Sequence, residues 1–282
     1  MKTGFRKLFL RSFFLLSTIP SVQYNALAAS SDEIKKEDQS LQKIKTEKVL
    51  KVCSDAGFLP FEMKTQKGDW IGFDVDMMKE FSKTLSAELR MIQISFDGII
   101  PALISAKCDL IAAGMTVTNE RKAMVLFSDP TFTSGLSIAI KNNEKNKNDF
   151  KDLDSLDKSG NKIAVKTGYT SDIYLSKTLK KAQILKFDQD ADLVLAVMQG
   201  RANAFVSDTT YVDLMEKGNK NKFIILPTKV VAESFSIAAR KDDHGLINKF
   251  NVFLKSWKDN GGYEKTRKYY FVDQVWRSQV AN

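Results

Sequence analysis

The sequence has little of the residues on which most enzymes build a catalytic site. It contains one histidine, His244, and two cysteines, Cys53 and Cys108. His244 lies in a polar Asp-Asp-His-Gly segment, and no Gly-x-Ser-x-Gly sequence supplies a nucleophile for a catalytic triad. Cysteine, histidine and carboxylate residues are not clustered at zinc-binding spacings. The sequence therefore predicts a protein that is not an enzyme and that carries no metal or cofactor.

Phosphate-binding loops, later membrane spans and nucleic-acid modules are also missing. The chain has neither Gly-x-x-x-x-Gly-Lys-Thr nor Gly-x-Gly-x-x-Gly. After residue 28, no apolar run reaches the roughly 20 residues that a helix needs to cross a bilayer. Lysines are interleaved with acidic and amide residues, as in 141–145, and are not concentrated on one basic segment. Nucleic-acid binding is therefore not expected.

The N-terminus has the composition of a secretory signal peptide. Four basic residues precede a short apolar run from Phe13 to Ile19, and Ala26-Leu27-Ala28 offers small residues for cleavage. We expect residues 1–28 to be removed on export to the periplasm. Removal of four positive and no negative charges lowers the formal net charge from +9 to +5. A single amphipathic anchor helix is the alternative.

The two cysteines raise the question of a disulfide in an oxidising compartment. We place Cys53 near the C-terminal end of one strand and Cys108 near the start of another strand in the same parallel sheet. That arrangement separates their Cα atoms by more than the roughly 7 Å that a disulfide tolerates. The sequence therefore predicts two buried, reduced thiols.

Short apolar strands alternate with helices along the chain after a polar segment, 29–46, which we interpret as a tail or a frayed helix. The alternation predicts parallel sheets covered by helices on both faces. A polar stretch over 142–149 divides it into two series, and hence two α/β lobes. We predict lobe 1 over 47–137, lobe 2 over 138–232, and a return strand with C-terminal helices over 233–282 that completes lobe 1.

One segment indicates ligand chemistry. An apolar strand ends at Gly114, where a ligand can approach bare backbone groups, and Thr116 adds a hydroxyl. Arg121 falls in the first turn of a predicted helix, where a cation opposes the helix dipole at a cost of about 0.3–1 kcal/mol. An anion would explain a guanidinium there, because its fork matches a carboxylate in two parallel bonds. An internal salt bridge to Asp129 is the alternative.

From Leu50 onward the chain resembles the bacterial solute-binding proteins of polar amino acid ABC importers, family 3, and among them the glutamine-binding proteins. The resemblance is carried by segments that keep their order and spacing: SDAGFLPFE at 54–62, GFDVD at 72–76, FDGIIPAL at 96–103, GMTVTNER at 114–121, FSDP at 127–130 and AVKTG at 164–168. It implies a periplasmic-binding-protein type II fold, in which two α/β lobes with parallel-type sheets are joined by two hinge strands and close on the ligand.

The resemblance also implies how the common part of an amino acid is held. Arg121, Thr116 and the Gly114 backbone would hold the α-carboxylate, and Thr170 would add a hydroxyl or an amide. Asp208, at the end of a lobe 2 strand, would pair with the α-ammonium. Ordinary helix capping is the alternative for Thr170 and Asp208.

For the ligand's side chain, the resemblance implies an aromatic pair and a charged pair. Phe58 and Phe96 match the rings that sandwich it, with core packing as the alternative. Asp55 and Lys166 match groups that reach its head in glutamine-binding members, where an acid and an ammonium together serve a neutral amide. Lys166 would repel a cation, so glutamine is favoured over arginine, lysine or histidine. Ser207 stands where those members carry a histidine, which keeps the cationic ligands as an alternative.

These residues predict the periplasmic substrate-binding component of an amino acid ABC importer, a monomer that serves a permease in the inner membrane. Arg121 and Asp208 lie on different lobes, so only the closed state satisfies both ends of the ligand. Hinges near 135–138 and 235–238 would absorb the rotation. Two alternatives stay open: an enzyme on the same scaffold, such as a prephenate or arogenate dehydratase, and a ligand-sensing domain.

Overall fold

The computed structural model describes Met1 and residues 39–219, 221–227 and 232–280. The predicted signal peptide after Met1 and the first part of the predicted tail lie outside the described residues. Within the described ranges, no helix has the length and apolar character needed to cross a membrane. The same ranges contain no group of three or more His, Cys, Asp or Glu side chains arranged to hold a metal ion.

Strands and helices alternate through the first part of the chain. These elements are α1 (Gln39–Glu47), β1 (Val49–Ser54), β2 (Met63–Lys64), β3 (Trp70–Ile71), α2 (Phe73–Thr84), β4 (Glu88–Gln93), a 3-10 turn (Phe96–Gly98), α3 (Ile99–Ile104), β5 (Leu110–Ile111), α4 (Asn119–Met124), β6 (Leu126–Phe127) and β7 (Phe132–Lys141).

The alternation resumes after β7 and ends in helices. The elements are α5 (Glu144–Asp149), α6 (Leu153–Leu156), β8 (Lys162–Lys166), α7 (Thr170–Thr178), β9 (Gln183–Phe187), α8 (Asp190–Met198), β10 (Ala204–Asp208), α9 (Thr209–Gly218), β11 (Phe223–Leu226), β12 (Ala232–Phe235), β13 (Ala238–Ala239), α10 (His244–Asp259), α11 (Gly262–Arg267), a π-helical turn (Lys268–Asp273) and a 3-10 turn (Val275–Gln279).

Two main sheets organise these elements, and we call each sheet with its helices a lobe. The order is β4-β1-β5-β13-β6 in lobe 1 and β11-β7-β10-β8-β9 in lobe 2. β1 is parallel to β4 and β5, and β8 is parallel to β9 and β10. The chain enters lobe 2 along β7, which also pairs with β12, and β13 returns to lobe 1. The predicted α/β fold class is confirmed.

The helices bury the faces that their sequence spacing predicts. In α2, Val75, Met78 and Phe81 recur at helical intervals and are fully buried. Burial of such side chains contributes roughly 1.5–3 kcal/mol each to stability. α4 begins after Thr118, whose hydroxyl accepts a hydrogen bond from the Arg121 amide at 3.2 Å and so caps the helix. This cap fixes the start of the helix that carries Arg121.

Two segments predicted to be polar and irregular form helices. α1 occupies much of the predicted tail, and its Leu41 and Ile44 are buried, so it packs on the core instead of fraying. α5 falls in the polar stretch that divides the two series, and the Asn143 side chain caps it. The prediction allowed a frayed helix at α1 but not a packed one, because α1 offers only two apolar core residues, and it missed α5, which buries none.

Cys53 and Cys108 form a disulfide, so the predicted pair of reduced thiols is wrong. β1 and β5 are adjacent and parallel, and the segment before β5 runs beside β1, where the Asp109 amide donates to the Lys51 carbonyl. The two cysteine Cα atoms are 5.6 Å apart, within the bridging range. The prediction relied on separated strand ends and did not foresee that the chain closes this distance before β5 begins.

Candidate ligand site between the lobes

Arg121 reaches from lobe 1 to lobe 2. Its Nη1 donates to the Thr116 carbonyl at 2.7 Å, and its Nη2 donates to the Gly168 carbonyl, just after β8, at 3.0 Å. The guanidinium carbon lies 5.1 Å from the centroid of the Phe96 ring, and the residue is only 6% exposed. Its hydrogen-bond partners are carbonyls and not the predicted alternative, Asp129. A buried guanidinium therefore stands at the junction of the lobes, where it can meet an anion.

Two buried carboxyl groups face this guanidinium, and only one of them was predicted. Asp208 ends β10 opposite Leu136 of β7, and Glu233 lies on β12 opposite Ser134 of the same strand. The two side chains hydrogen bond to each other. Burial, then the charge of Glu233 and this hydrogen bond, raise the pKa of Asp208 well above its usual value. Glu233 could have been recognised in the sequence, because it is the one acidic residue in a segment of otherwise apolar and small residues.

The capping alternatives can be compared with the helix starts. The Asp208 side chain makes no capping hydrogen bond to α9, and its Oδ1 has no partner among the described residues. α7 begins at Thr170 itself, with Tyr169 in the capping position and no side-chain capping bond. Thr170 is half-buried. Neither residue is needed as a cap, so both are free to serve another partner.

Lys166 joins the lobes at a second point. Its Nζ lies 2.6 Å from Asp190 Oδ2 of α8 and 2.9 Å from Asp55 Oδ2, which follows β1 in lobe 1. It also donates to the Tyr169 hydroxyl oxygen at 3.1 Å. Burial disfavours the ammonium, but the charges of Asp190 and Asp55 outweigh it, so the pKa of Lys166 is raised. These partners together accept every hydrogen of the ammonium.

Hydrogen-bond acceptors outnumber donors around Lys166. Asp55 is occupied, since it also accepts from the Phe96 amide and from the Gln93 side chain. Both carboxyl oxygens of Glu62 and the Oδ1 of Asp190 are buried without a partner in the described part of the chain. Burial, then the charge of Asp74, raises the pKa of Glu62 well above its usual value. A group that brings donors would satisfy these atoms.

The predicted aromatic pair meets a tyrosine of lobe 2. The Tyr169 ring makes edge contacts with Phe96 at 4.4 Å and with Phe58 at 5.8 Å between centroids. Phe58 also stacks on Phe61 at 5.0 Å. The structure therefore brings Phe58 and Phe96 to the same place between the lobes, with an aromatic neighbour that the sequence analysis did not single out.

Gly114 lies directly behind Phe58. Its φ is +50°, and a Cβ built there would lie 2.4 Å from Cε1 of Phe58. The Gly114 amide donates to Asp74 Oδ2 at 3.1 Å, so the amide expected to meet a carboxylate is already engaged. Burial raises the pKa of Asp74 to about 7, although this hydrogen bond acts in the opposite direction. The carbonyl of Gly114, an acceptor, suits an ammonium instead of a carboxylate.

Comparison with known proteins agrees with the fold. The sequence pattern of the bacterial extracellular solute-binding proteins, family 3, matches residues 50–273. The chain is 30% identical to a probable histidine-binding protein of Neisseria gonorrhoeae, over 89% of this chain and 93% of that protein. It is 29% identical to the L-arginine-binding protein of Pseudomonas aeruginosa, over 85% of this chain and 94% of that protein.

Solved structures show the same architecture. The crystal structure of the ancestral amino acid-binding protein AncCDT-1, a precursor of cyclohexadienyl dehydratase, matches with a TM-score of 0.78 and 35% identity. The match covers 83% of this chain and 100% of that one. The chain belongs to the bacterial extracellular solute-binding proteins, family 3.

Proposed function

We propose that this chain is the exported, periplasmic substrate-binding component of an ABC importer and that it closes around one free amino acid. The observation that carries the proposal is the placement of Arg121 from lobe 1 against the buried carboxyl of Asp208 from lobe 2. A zwitterion presents the opposite charges to such a pair. The relatives named as histidine- and arginine-binding proteins support the same class of ligand.

Arg121 is suited to the α-carboxylate because it keeps donors in reserve. A guanidinium carries more N–H groups than the carbonyls of Thr116 and Gly168 accept. Its remaining donors can form the paired bonds that a carboxylate prefers. The hydroxyls of Thr116 and Thr170 lie on the two sides of this junction and would complete the contact. Asp208 and the Gly114 carbonyl would receive the α-ammonium.

The preference for glutamine depends on a Lys166 ammonium that is free to contact the ligand, and the contacts of Lys166 do not support that assumption. Lys166 directs its donors to Asp55, Asp190 and Tyr169, so none is left for a ligand amide. The two carboxylates also exceed its charge, which leaves one net negative charge and no repulsion of a cation. We therefore propose arginine, whose guanidinium would donate to the unpartnered oxygens of Asp190 and Glu62.

Glutamine remains a second candidate because of Ser207. Its hydroxyl is buried with no partner among the residues described, and it can donate to an amide oxygen. Asp190 Oδ1 could then accept from the amide nitrogen. This arrangement satisfies fewer of the unpartnered acceptors than a guanidinium does.

A thermal-shift screen over the standard amino acids, followed by calorimetric titration, tests the proposal. Ligand at about 100 times Kd should stabilise the protein by roughly 2.7 kcal/mol. We expect arginine to give the largest shift and Arg121→Ala to abolish it. The matched control is Arg267→Ala, which removes an arginine paired with Glu264 on the surface. A response to glutamine alone would overturn the side-chain assignment, and a response to no amino acid would overturn the function.

The enzyme alternative has a direct assay. Incubation with prephenate or arogenate and detection of phenylpyruvate or phenylalanine would reveal dehydratase activity, which needs an acid that protonates a leaving hydroxyl. We expect no turnover, because the relatives compared above are named as binding proteins. Turnover that disappears in Glu62→Gln would contradict this expectation, since Glu62 is a buried acid whose raised pKa suits proton donation.

A further inference from the structure

Glu233 occupies a position that the proposed contacts do not use. It lies on β12, one of the strands that carry the chain between the lobes, and is 3% exposed. β7 lies beside both β12 and β10 and holds Glu233 and Asp208 two register positions apart, opposite Ser134 and Leu136. The two carboxyl groups meet at this point and hydrogen bond to each other. Two acids in such contact cannot both be ionised without a large repulsion.

In the part of the chain that the structure describes, the charge facing the two acids comes from one cation. This is Arg121 of α4, which interacts with both Asp208 and Glu233. Asp190 of α8 adds a further negative charge next to Asp208, and the Tyr169 hydroxyl before α7 faces the same group. Oδ1 of Asp208 and Oε2 of Glu233 have no hydrogen-bond partner among the described residues. The two carboxyl groups therefore face one guanidinium together and present two oxygens that no described residue satisfies.

We infer that Asp208 and Glu233 act as one proton-sharing pair that receives the ammonium group of the amino acid, so that ligand binding releases a proton. The inference rests on the proposed function and extends it to Glu233. In the unliganded protein, one carboxyl donates its O–H to the other. When the ammonium arrives it donates to both groups, the O–H bond breaks, and the proton passes to a buffer base in solution.

The pair predicts how affinity depends on pH. Because the ammonium binds best to the ionised pair, affinity for arginine should rise with pH over the range in which the pair loses its proton. One linked proton limits the change to about tenfold per pH unit. Glu233→Gln keeps a hydrogen bond to Asp208 but removes the second acid. Its affinity should therefore depend less on pH, with the remaining change moved to lower pH.

Isothermal titration calorimetry with arginine tests the inference. In buffers of different ionisation enthalpy, the wild type should release up to one proton on binding at the pH values where its affinity rises, and Glu233→Gln should release less. Asp74→Asn is the control, because Asp74 is another buried acid that titrates near neutrality but is hydrogen bonded to Gly114 and not to the pair. It should keep the wild-type pH profile of binding.

Each outcome decides between the two proposals. If the wild type binds arginine with the same affinity at every pH measured and releases no proton, the inference is overturned and the proposed function stands. A Glu233→Gln variant that weakens binding equally at every pH would also overturn it, since that indicates a structural role alone. If no amino acid binds at any pH, the proposed function itself fails.

Discussion

Two buried cations link the lobes, and they differ in how completely they are paired. Lys166 meets two carboxylates and a tyrosine oxygen within 3.1 Å, which together accept all of its hydrogens. Arg121 meets two backbone carbonyls, and the carboxyl groups nearby hydrogen bond to each other. Burial lowers the pKa of Arg121, whereas the pKa of Lys166 is raised. All hydrogens of the Lys166 ammonium therefore have acceptors within the protein, whereas the Arg121 guanidinium has N–H groups left over.

This difference assigns different tasks to two residues that look alike in the sequence. A satisfied buried ion pair stabilises one arrangement of the lobes, because separation would expose or strand each charge. A cation with spare donors stabilises that arrangement only when another anion arrives. Lys166 should therefore control the stability of the protein, and Arg121 should control its affinity for the ligand. The following predictions test that separation.

Replacement of Lys166 should have the largest effect. Lys166→Met leaves Asp55 and Asp190 buried without their cation, and we expect the free energy of unfolding to fall by roughly 3–5 kcal/mol. Urea unfolding followed by circular dichroism measures this change. The double variant Lys166→Met, Asp190→Asn should recover part of the loss, because one stranded charge is removed with the lysine.

An exposed pair provides the control for that experiment. Lys177 of α7 and Glu120 of α4 also link the lobes, 3.6 Å apart, with about two thirds of each side chain exposed. Such pairs contribute little in water. Lys177→Met should therefore unfold at nearly the wild-type urea concentration. If Lys166→Met is as stable as the wild type, the buried ion pairs of Lys166 with Asp55 and Asp190 do not hold the lobes together.

The sequence predicted the elements well where the signal is local. α4 and β9 have such signals, because a capping threonine and a short apolar run each act within a few positions. Lobe 2 was predicted in the same way, from the alternation of strands and helices. Local signals need no knowledge of which strands become neighbours.

The missed features all depend on strand neighbours. The disulfide requires the segment before β5 to lie beside β1. The contact between Asp208 and Glu233 requires β10 and β12 to pair with one strand, β7. Asp190, which pairs with Lys166, comes from the start of α8 and was not predicted as a partner.

The family resemblance supplied spatial information that periodicity lacks. Six residues selected through it lie at the lobe junction: Asp55, Phe58, Phe96, Arg121, Lys166 and Asp208.

Asp74 sharpens the comparison, because it is a buried carboxyl that accepts from the Gly114 amide and pairs with no cation among the described residues. Its pKa of about 7 lies above the usual 3.8, so its contribution to stability is present at acid pH and is lost as pH rises through 7. The free energy of unfolding should fall by up to roughly 4 kcal/mol between about pH 4 and pH 8 from this group alone. Asp74→Asn, which keeps the acceptor for Gly114, should remove that part of the slope.

The difference between wild type and Asp74→Asn, followed across pH by urea unfolding, isolates this contribution. Burial also raises the pKa of Glu62 and Asp208, and their slope has the same sign but persists in the variant. Parallel curves for the two proteins would mean that Asp74 remains ionised in the fold. Burial with one amide partner would then be enough to hold a carboxylate.

A change at Arg121 should separate affinity from stability. Arg121→Lys keeps the positive charge but loses the planar fork that binds a carboxylate through two bonds. We expect affinity for the amino acid to fall by about tenfold to a hundredfold, while the unliganded protein unfolds at nearly the same urea concentration. Calorimetric titration and urea unfolding on the same sample measure both. A loss of stability as large as that of Lys166→Met would erase the distinction between the two cations.

The smallest predicted effect concerns the backbone that supports the aromatic contact. Gly114→Ala places a methyl group against the Phe58 ring at a positive φ, so the ring must shift from its stack on Phe61. Gly200→Ala is the matched control, because Gly200 also has a positive φ but nothing within 4 Å of the added Cβ. The control measures backbone strain alone, on the order of 1 kcal/mol. Gly114→Ala should lose more stability and also weaken ligand binding, whereas Gly200→Ala should leave affinity unchanged. Equal losses would show that the ring yields without cost, and Phe58 would then be a packing residue with no part in the shape of the site.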